Sequence, residues 1–315
     1  MEISAVVPVF NEAESLRELH RRLAEALRSA THDYEIIFVD DGSTDESLKV
    51  LEELQAADTQ VRVLSFRRNF GKSAALSVGF GESTGRVVIT LDSDLQDDPA
   101  EIPSLVGKLN EGYDLVSGWK KDRKDPLSKT LPSRVFNLIV KSTTGIKIHD
   151  FNCGLKVYRG DTARGLDLYG ELHRFIPVLV HWEGGRVGEK VVLHHPRKYG
   201  RSKFGVARFI NGFLDLLSVM FFTTHESNPL HVFGRLGLFF LIVGLGINVY
   251  FAGLWATGQP LRVRPLLLFA VVLIILGIQF ISMGLLGEMI VRTGRRREYA
   301  LKARLGFGTD RREVE

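Results

Sequence analysis

The apolar residues in the first third of the chain form two alternating patterns. Short runs rich in β-branched residues are typical of buried strands, and longer segments with leucine every three or four positions are typical of amphipathic helices. Strands that alternate with helices at this spacing predict an α/β fold, with a mainly parallel sheet flanked by helices on both faces. The predicted strands are 3–9, 35–39, 61–66, 87–91 and, later, 155–158, and the predicted helices are 14–28, 45–54 (with Asp45 as N-cap) and 71–80.

Two later stretches are apolar throughout. No residue is charged from Leu236 to Leu261 or from Pro265 to Gly287, and each stretch exceeds the ~20 residues that span a bilayer. The short linker 259–264 predicts a tight hairpin, and Arg and Lys are more frequent on the flanks than in the hairpin. This distribution predicts an integral protein of the cytoplasmic (plasma) membrane, with two transmembrane helices and with the catalytic domain and both termini cytoplasmic. The alternative is a pair of buried helices in a soluble core.

Apolar residues also recur at helical spacing between Val206 and Phe221, with polar residues opposite. The pattern predicts an amphipathic helix at the membrane interface, and a helix packed on a core is the alternative. The predicted organisation is therefore a catalytic-type domain over 1–205, an interfacial helix and linker over 206–230, two transmembrane helices over 231–291 and a basic cytoplasmic tail over 292–315.

Composition excludes some classes of protein. The net charge of +4 is small, and the basic residues after Pro196 are interleaved with apolar ones, so no nucleic-acid partner is expected. The single cysteine, Cys153, excludes an intramolecular disulfide and fits a reducing compartment. No signal peptide is expected, because Ile3–Val9 already has the pattern of a strand. The sequence leaves open whether the chain forms a homo-oligomer.

Polar side chains follow three of the predicted strands. Asn11 and Glu12, then Asp40 and Asp41, then Asp92 and Asp94 stand at strand ends that share one edge of a parallel sheet, where ligands bind in open α/β folds. The set suits a nucleoside together with a diphosphate on Mg²⁺ or Mn²⁺, and solvated turn residues are the alternative. No Gly-x-Gly-x-x-Gly follows the first strand, which argues against a dinucleotide site.

Several short motifs of the chain occur together in one family. The motifs are Val7-Pro8-Val9-Phe10-Asn11-Glu12, Val39-Asp40-Asp41-Gly42-Ser43-Thr44-Asp45, Arg68-Asn69-Phe70-Gly71-Lys72, Asp92-Ser93-Asp94-Leu95-Gln96, Asp150-Phe151-Asn152-Cys153-Gly154 and Tyr199-Gly200-Arg201-Ser202-Lys203. With them the chain resembles family 2 glycosyltransferases of the GT-A fold, and more narrowly the polyprenyl-phosphate glycosyltransferases, a group that includes dolichyl-phosphate mannose synthase and bacterial undecaprenyl-phosphate sugar transferases. The resemblance covers roughly residues 3–210.

The resemblance implies a donor site. The residues implied to hold the nucleoside are Pro8, Phe10, Glu12, Val39 and Asp41; those around the metal and diphosphate are Asp92, Ser93, Asp94 and Gln96; those beside the donor phosphates are Lys120, Arg197 and Lys203. Of these, Asp92, Asp94 and Gln96 are implied ligands of Mg²⁺ or Mn²⁺. The sequence departs from the family in two places: Phe10 stands where Tyr is common, and Lys120 stands where some relatives have Arg. Both departures leave the donor's identity open.

The acceptor side involves three further residues. Ser133 and Arg134 begin a predicted helix, and a helix start with an arginine is a phosphate site; a surface cation is the alternative for Arg134. Asp150 matches the family's proposed catalytic base. A lipid monophosphate has a second pKa near ~6 and arrives largely ionised, so Asp150 is also open to an orienting role. His149 is interpreted as a neutral structural imidazole.

These features predict an inverting, metal-dependent transfer. A hexose would pass from a nucleotide sugar, UDP-glucose or GDP-mannose, to a polyprenyl phosphate, undecaprenyl or dolichyl, at the cytoplasmic membrane face. The alternatives are a processive polysaccharide synthase, a transferase that modifies protein or a soluble sugar, and a catalytically inactive membrane adaptor. The Gln-x-x-Arg-Trp motif of processive synthases is absent where the chain reads His173-Arg174-Phe175-Ile176-Pro177. The sugar, the lipid's length and the choice of Mg²⁺ or Mn²⁺ are not determined.

Overall fold

A computed structural model of the chain describes residues 1–121, 137, 140–141, 144–195, 229–258, 265–293 and 301–305. The described residues fall into two compact units. The first contains the residues up to 195 together with 301–305, and the second contains the two long apolar helices.

The first unit is built on one eight-stranded sheet. Its strands are β1 (Ile3–Val9), β2 (Tyr34–Asp40), β3 (Val61–Phe66), β4 (Val87–Thr90), β5 (Leu115–Trp119), β6 (Lys156–Arg159), β7 (Val187–Val191) and β8 (Leu301–Leu305), in the order β7-β5-β6-β4-β1-β2-β3-β8. The pairs β1–β2, β1–β4, β2–β3 and β5–β7 are parallel, whereas β6 runs antiparallel to both β4 and β5. The predicted mainly parallel sheet is confirmed.

Helices cover both faces of this sheet. They are α1 (Ala13–Ala30), α2 (Ser47–Ala57), α3 (Lys72–Glu82), α4 (Ile102–Leu109), α5 (Gly160–Gly165) and α6 (Ile176–Trp182), with 3-10 turns at Pro99–Glu101 and Leu172–Arg174. One core joins α1, α2 and α4 to one face, and a second core joins α3, α5 and α6 to the other. The central strands are therefore buried on both sides, as their continuous apolar sequence requires. The predicted strands and helices of this unit agree with these bounds to within about three residues.

The carboxyl-terminal region differs from its prediction. Residues 292–315 were expected to be a tail, but Leu301–Leu305 forms strand β8, which pairs antiparallel with β3 at the edge of the sheet. Apolar and basic residues alternate in this segment, and a short strand with Lys and Arg is typical of a sheet edge.

The second unit is a pair of long helices, α7 (Pro229–Ala256) and α8 (Pro265–Thr293). Both are long and apolar enough to cross a membrane, over Phe233–Ala256 and Pro265–Gly287. They pack closely where Gly237 meets Gly277: a Cβ on Gly237 would lie 2.6 Å from the Gly277 carbonyl oxygen. Small residues at a helix crossing are typical of membrane helices, because close backbone approach supplies the packing energy there. Most of the other side chains of both helices are exposed and apolar.

A buried polar cluster lies at the amino end of β1 and β2. The Glu35 carboxylate is 1% exposed and accepts hydrogen bonds from Ser4 Oγ (2.5 Å), Thr84 N (2.9 Å) and Thr84 Oγ1 (2.8 Å), and it pairs with Arg62. Burial raises the pKa of Glu35, but the hydrogen bonds from Ser4, Thr84 and Arg62 outweigh burial and hold that pKa below its usual value.

We expect Glu35→Gln to lower the stability of the first unit by about 2–4 kcal/mol, because the partly buried Arg62 would lose its counter-charge. The stabilisation from Glu35 is present above its unfolded pKa near 4.5 and is lost as the pH falls through the lower folded pKa. Thermal melts in detergent should therefore show a gap between wild type and variant at pH 7 that narrows towards pH 3. Glu53→Gln, at a half-exposed pair with Arg17, is the matched control and should have little effect.

Candidate active site

The loops after β1 and β2 are tied together at the carboxyl edge of the sheet. Asn11 has φ +54° and accepts a hydrogen bond from Thr44 N (2.8 Å), and its own N–H donates to Ser43 Oγ (2.9 Å). The Glu12 N–H donates to Ser47 Oγ (2.9 Å). Asparagine tolerates the left-handed conformation better than most residues. In this conformation the side chain and the backbone of Asn11 both bind the loop after β2.

Asp41 connects the β2 loop to the start of α3. Its buried carboxylate accepts backbone N–H groups of Phe70 (2.7 Å) and Gly71 (2.9 Å). Burial raises the pKa of Asp41, and these two hydrogen bonds oppose the rise. The next residue, Gly42, has φ +70°, and a Cβ there would lie 2.4 Å from the Arg68 carbonyl carbon. Only glycine allows the two loops to approach this closely.

Asp92 follows β4 and forms an ion pair with Lys72, the first residue of α3. Burial raises the pKa of Asp92, but the charge and hydrogen bond of Lys72, assisted by Lys120 and Lys156, lower it to about 2. The carboxylate is therefore fully ionised at neutral pH. An anion in this place attracts cations, and among the described residues Lys72 forms an ion pair with it.

Asp94 and Gln96 lie on the turn that follows. Asp94 Oδ1 accepts the Gln96 N–H (3.2 Å), and between them Leu95 is buried with φ +60°. A left-handed leucine is unusual and costs of order 1–3 kcal/mol, and such strain concentrates at functional sites. Ser93, also buried, accepts Ser15 Oγ on its carbonyl oxygen (2.7 Å), which fixes the turn to α1.

A second carboxylate lies beside Asp92. The Asp97 side chain is fully buried and pairs with Lys120 Nζ at 2.7 Å. Burial lowers the pKa of Lys120, but the charge of Asp97 outweighs burial and the pKa is raised. Gly154 separates the two carboxylates: a Cβ on Gly154 would lie 2.6 Å from Asp92 Oδ2 and 2.8 Å from Asp97 Oδ2.

Asp150 is buried at 2% exposure beneath this cluster. Its carbonyl oxygen accepts Ser117 Oγ (3.2 Å), and its Oδ1 accepts the Asn152 N–H (3.1 Å). The preceding residue, His149, stacks on Trp119 (centroids 4.1 Å apart) and contacts Glu189 through Nδ1 (2.5 Å). The half-exposed His149 ring therefore packs on Trp119 and also contacts the Glu189 carboxylate.

The described residues contain no cluster of three or more His, Cys, Asp or Glu side chains arranged to hold a metal ion. The side-chain oxygens of Asp92, Asp94 and Gln96 are nevertheless the kind of ligand that a hard divalent cation prefers. Mg²⁺ keeps several waters and commonly binds through one or two carboxylates plus substrate phosphates. The residues therefore fit a metal that is held jointly with a phosphorylated ligand.

The structure brings together most of the predicted donor-site residues at one sheet edge. Val39 is fully buried inside β2, backbone included, and Lys120 is engaged by Asp97. Ser133, Arg134, Arg197, Lys203 and the predicted interfacial helix lie outside the described residues.

Sequence reasoning missed several members of the cluster. Lys72 and Gly154 stand inside quoted motifs and Asp97 directly follows Gln96, so a signal existed for these three. Lys156, 4% exposed and bonded to the Cys153 carbonyl, and His173, paired with Ser73, carried no such signal. Burial lowers the pKa of Lys156. Burial also lowers the pKa of His173, to well below its usual value.

Comparisons with known proteins point to one family of enzymes. The family model described as Glycosyl transferase family 2 matches residues 4–164. The chain is 41% identical to dodecaprenyl-phosphate galacturonate synthase of Rhizobium johnstonii, covering 93% of this chain and 88% of that protein. It is 40% identical to undecaprenyl-phosphate 4-deoxy-4-formamido-L-arabinose transferase of Pseudomonas fluorescens, covering 92% of this chain and 84% of that protein.

Among solved structures, the fold is similar to glucosyl-3-phosphoglycerate synthase from Mycobacterium tuberculosis in complex with Mn²⁺ and uridine-diphosphate-glucose. The TM-score is 0.54 at 20% identity, over 70% of this chain and 78% of that one. At this identity the likeness shows the fold alone, and it confirms the GT-A architecture expected from the sequence.

Proposed function

This chain belongs to glycosyl transferase family 2, and we propose that it transfers a sugar from a nucleotide sugar to a polyprenyl phosphate. The observation that carries the proposal is the 41% identity, across 93% of the chain, to an enzyme whose name states a sugar and a dodecaprenyl phosphate. A second relative at 40% identity is named for a different sugar on undecaprenyl phosphate. The lipid phosphate is thus common to both names, and the sugar is what varies.

The donor is proposed to bind at the sheet edge. The nucleoside would lie along the loops after β1 and β2, near Pro8, Phe10, Glu12 and Asp41, with its diphosphate towards Asp92. Asp92, Asp94 and Gln96 would hold a divalent cation, Mg²⁺ or Mn²⁺, which when bound would neutralise charge on the diphosphate. Support comes from the oxygen donors present and from the solved structure of similar fold that contains Mn²⁺ and uridine-diphosphate-glucose.

The reaction is proposed to be one in-line displacement. A phosphate oxygen of the lipid attacks the anomeric carbon, a C–O bond forms, and the bond from that carbon to the donor diphosphate breaks with its electron pair leaving on the nucleoside diphosphate. Lys72 and Lys120 supply positive charge near the departing group. Asp150 is buried and tied through its backbone to Ser117, which favours an orienting role over that of a base.

The acceptor is proposed to reach the site at a membrane surface. The helices α7 and α8 are long and apolar enough to cross a bilayer, so they would keep the catalytic unit beside its lipid substrate. Basic flanks favour a cytoplasmic catalytic unit. Ser133 and Arg134 are the proposed acceptor-phosphate contacts, and Arg197 and Lys203 the proposed donor-phosphate contacts.

The test is a transfer assay with the full chain in detergent, undecaprenyl phosphate and Mg²⁺ or Mn²⁺. UDP-glucose, GDP-mannose and UDP-galacturonate, each with a labelled sugar, are offered separately. We expect label in the organic phase with one donor, and an anomeric configuration opposite to that of the donor. A retained configuration would exclude the single displacement. Polymeric product would favour a processive synthase, and donor hydrolysis without labelled lipid would overturn the proposed acceptor.

A further inference from the structure

Both oxygens of the Asp92 carboxylate already have close neighbours. Oδ1 is ion-paired with Lys72 Nζ, and Oδ2 lies against Gly154, where an added Cβ would be only 2.6 Å away. A divalent cation that uses Asp92 therefore meets the Lys72 ammonium at the carboxylate. Two cations within a few ångströms of each other repel strongly unless further anionic groups are present.

The other two lysines of the cluster are held elsewhere. Lys120 pairs with Asp97 at 2.7 Å, and Lys156 donates to the Cys153 carbonyl oxygen. Lys72 contacts Asp92 itself, and its side chain is 31% exposed, so it has room to swing aside. Lys72 is therefore the group that a metal at Asp92 has to displace.

The backbone around Lys72 is fixed on both sides. Asp41 holds the Gly71 N–H before it (2.9 Å), and Ser73 after it is bonded to His173. Ser73 Oγ accepts the His173 N–H (3.0 Å) and lies 3.0 Å from His173 Nδ1. A hydroxyl group has one hydrogen and two lone pairs, so the tautomer of His173 sets the direction of this contact: with the ring proton on Nε2, Ser73 donates its hydrogen to Nδ1. The pair holds the first turn of α3, which is the turn that carries Lys72 beside Asp92.

We propose that Lys72 competes with the divalent cation for Asp92, and that the Ser73–His173 pair is the positioning device that keeps Lys72 there. The metal then binds weakly to the free protein and tightly once a nucleoside diphosphate supplies anionic oxygens for both cations. Metal and nucleotide binding would be coupled through one lysine. The inference rests on the proposed function only in taking Asp92 as a metal ligand.

The test measures Mn²⁺ binding by electron paramagnetic resonance, with the full chain in detergent and no lipid, in the presence and absence of UDP or GDP. We expect Lys72→Met to bind Mn²⁺ about tenfold tighter than wild type without nucleotide, and to gain less affinity on adding nucleotide. Lys49→Met, an exposed lysine on α2, is the matched control and should behave as wild type. Lys72→Gln provides a second variant, and thermal melts are used to check that both variants remain folded.

The positioning role is tested by three further variants in the same assay. Ser73→Ala and His173→Leu should both tighten Mn²⁺ binding in the absence of nucleotide. Ser73→Ala removes both contacts with His173 and His173→Leu removes only the ring contact, so the double variant should bind Mn²⁺ no tighter than Ser73→Ala alone. His173→Asn should restore wild-type binding, since its amide oxygen takes the place of Nδ1 as acceptor. A purely structural role would instead weaken Mn²⁺ binding in all of these variants, and that result would overturn the positioning role.

Mn²⁺ affinity equal in Lys72→Met and wild type would overturn the competition, even if metal-dependent sugar transfer is observed. Absence of Mn²⁺ binding in every variant and condition would overturn both the competition and the metal part of the proposed function. Tighter Mn²⁺ binding in Lys72→Met without any labelled lipid in the transfer assay would support the competition and count against the proposed acceptor alone.

Discussion

We expect Asp94→Asn to lower sugar transfer by about 100- to 1,000-fold while the protein stays folded. The expected loss follows from removing a negative charge where a divalent cation and the donor diphosphate are proposed to meet, and one preorganised electrostatic contact is commonly worth this much. Asparagine keeps an oxygen that accepts the Gln96 N–H, so the turn at Asp94 is preserved. Asp94→Ala removes both the charge and the turn contact and should abolish transfer.

The measurement is the initial rate of label transfer to polyprenyl phosphate at saturating donor, beside a thermal melt of each variant. Asp98→Asn is the matched control, because Asp98 lies in the same loop but its carboxylate caps the 3-10 turn through the Ala100 N–H (3.0 Å) and pairs with His195 (3.0 Å). We expect that control to retain most of its activity. Near-normal turnover of a folded Asp94→Asn would place the metal and diphosphate elsewhere.

The first four strands and three helices could be predicted because their signals are local. Strands β1 to β4 are short apolar runs that end in polar residues, and α1 repeats leucine at helical spacing from Leu16 to Leu27. Strands β5 and β7 were not predicted, because Leu115–Trp119 and Val187–Val191 contain glycine and polar residues and owe their conformation to pairing with each other. Such strands depend on tertiary context more than on propensity.

The predicted carboxylates converge because parallel strands bring their carboxyl ends to one edge of the sheet. The partners of those carboxylates were beyond sequence reasoning. Lys72 and Asp92 lie on different elements, and so do Lys120 and Asp97, so only the folded chain selects these pairs. The resemblance pointed to Lys120 as a donor contact, which stays a prediction, while the structure adds that Asp97 fixes its ammonium.

These pairs give the site a common design. Three carboxylates at the sheet edge are fixed by a cation or by backbone N–H groups from another element: Asp41 by Phe70 and Gly71, Asp92 by Lys72, and Asp97 by Lys120. The cluster is therefore preorganised, and the arriving diphosphate and metal exchange partners with groups already in place instead of ordering them. A rigid cluster of this kind should be sensitive to small steric changes beside it.

Gly154→Ala is the sharpest test of that sensitivity. The new Cβ would lie 2.6 Å from the Asp92 carboxylate and 2.8 Å from Asp97 Oδ2, distances at which one of these groups has to move. Asp97 is not free to move cheaply, since it is fully buried against Lys120, so the half-exposed Asp92 carboxylate is the group that shifts and its ion pair with Lys72 is disturbed. We expect about 1–3 kcal/mol of destabilisation from overpacking, and at least a 100-fold loss of transfer from displacement of Asp92.

Gly107→Ala in α4 is the matched control, because it adds the same methyl group where no atom lies within 4 Å. It should leave transfer unchanged and raise the melting temperature slightly, since alanine is the better helix former. The measurements are the initial rate of sugar transfer and the melting temperature of both variants and of wild type. A Gly154→Ala protein with wild-type turnover would mean that Asp92 tolerates displacement and does not contact the reacting groups. A loss of turnover much larger than the loss of stability would place Gly154 in the site as the residue whose missing side chain makes room for two carboxylates.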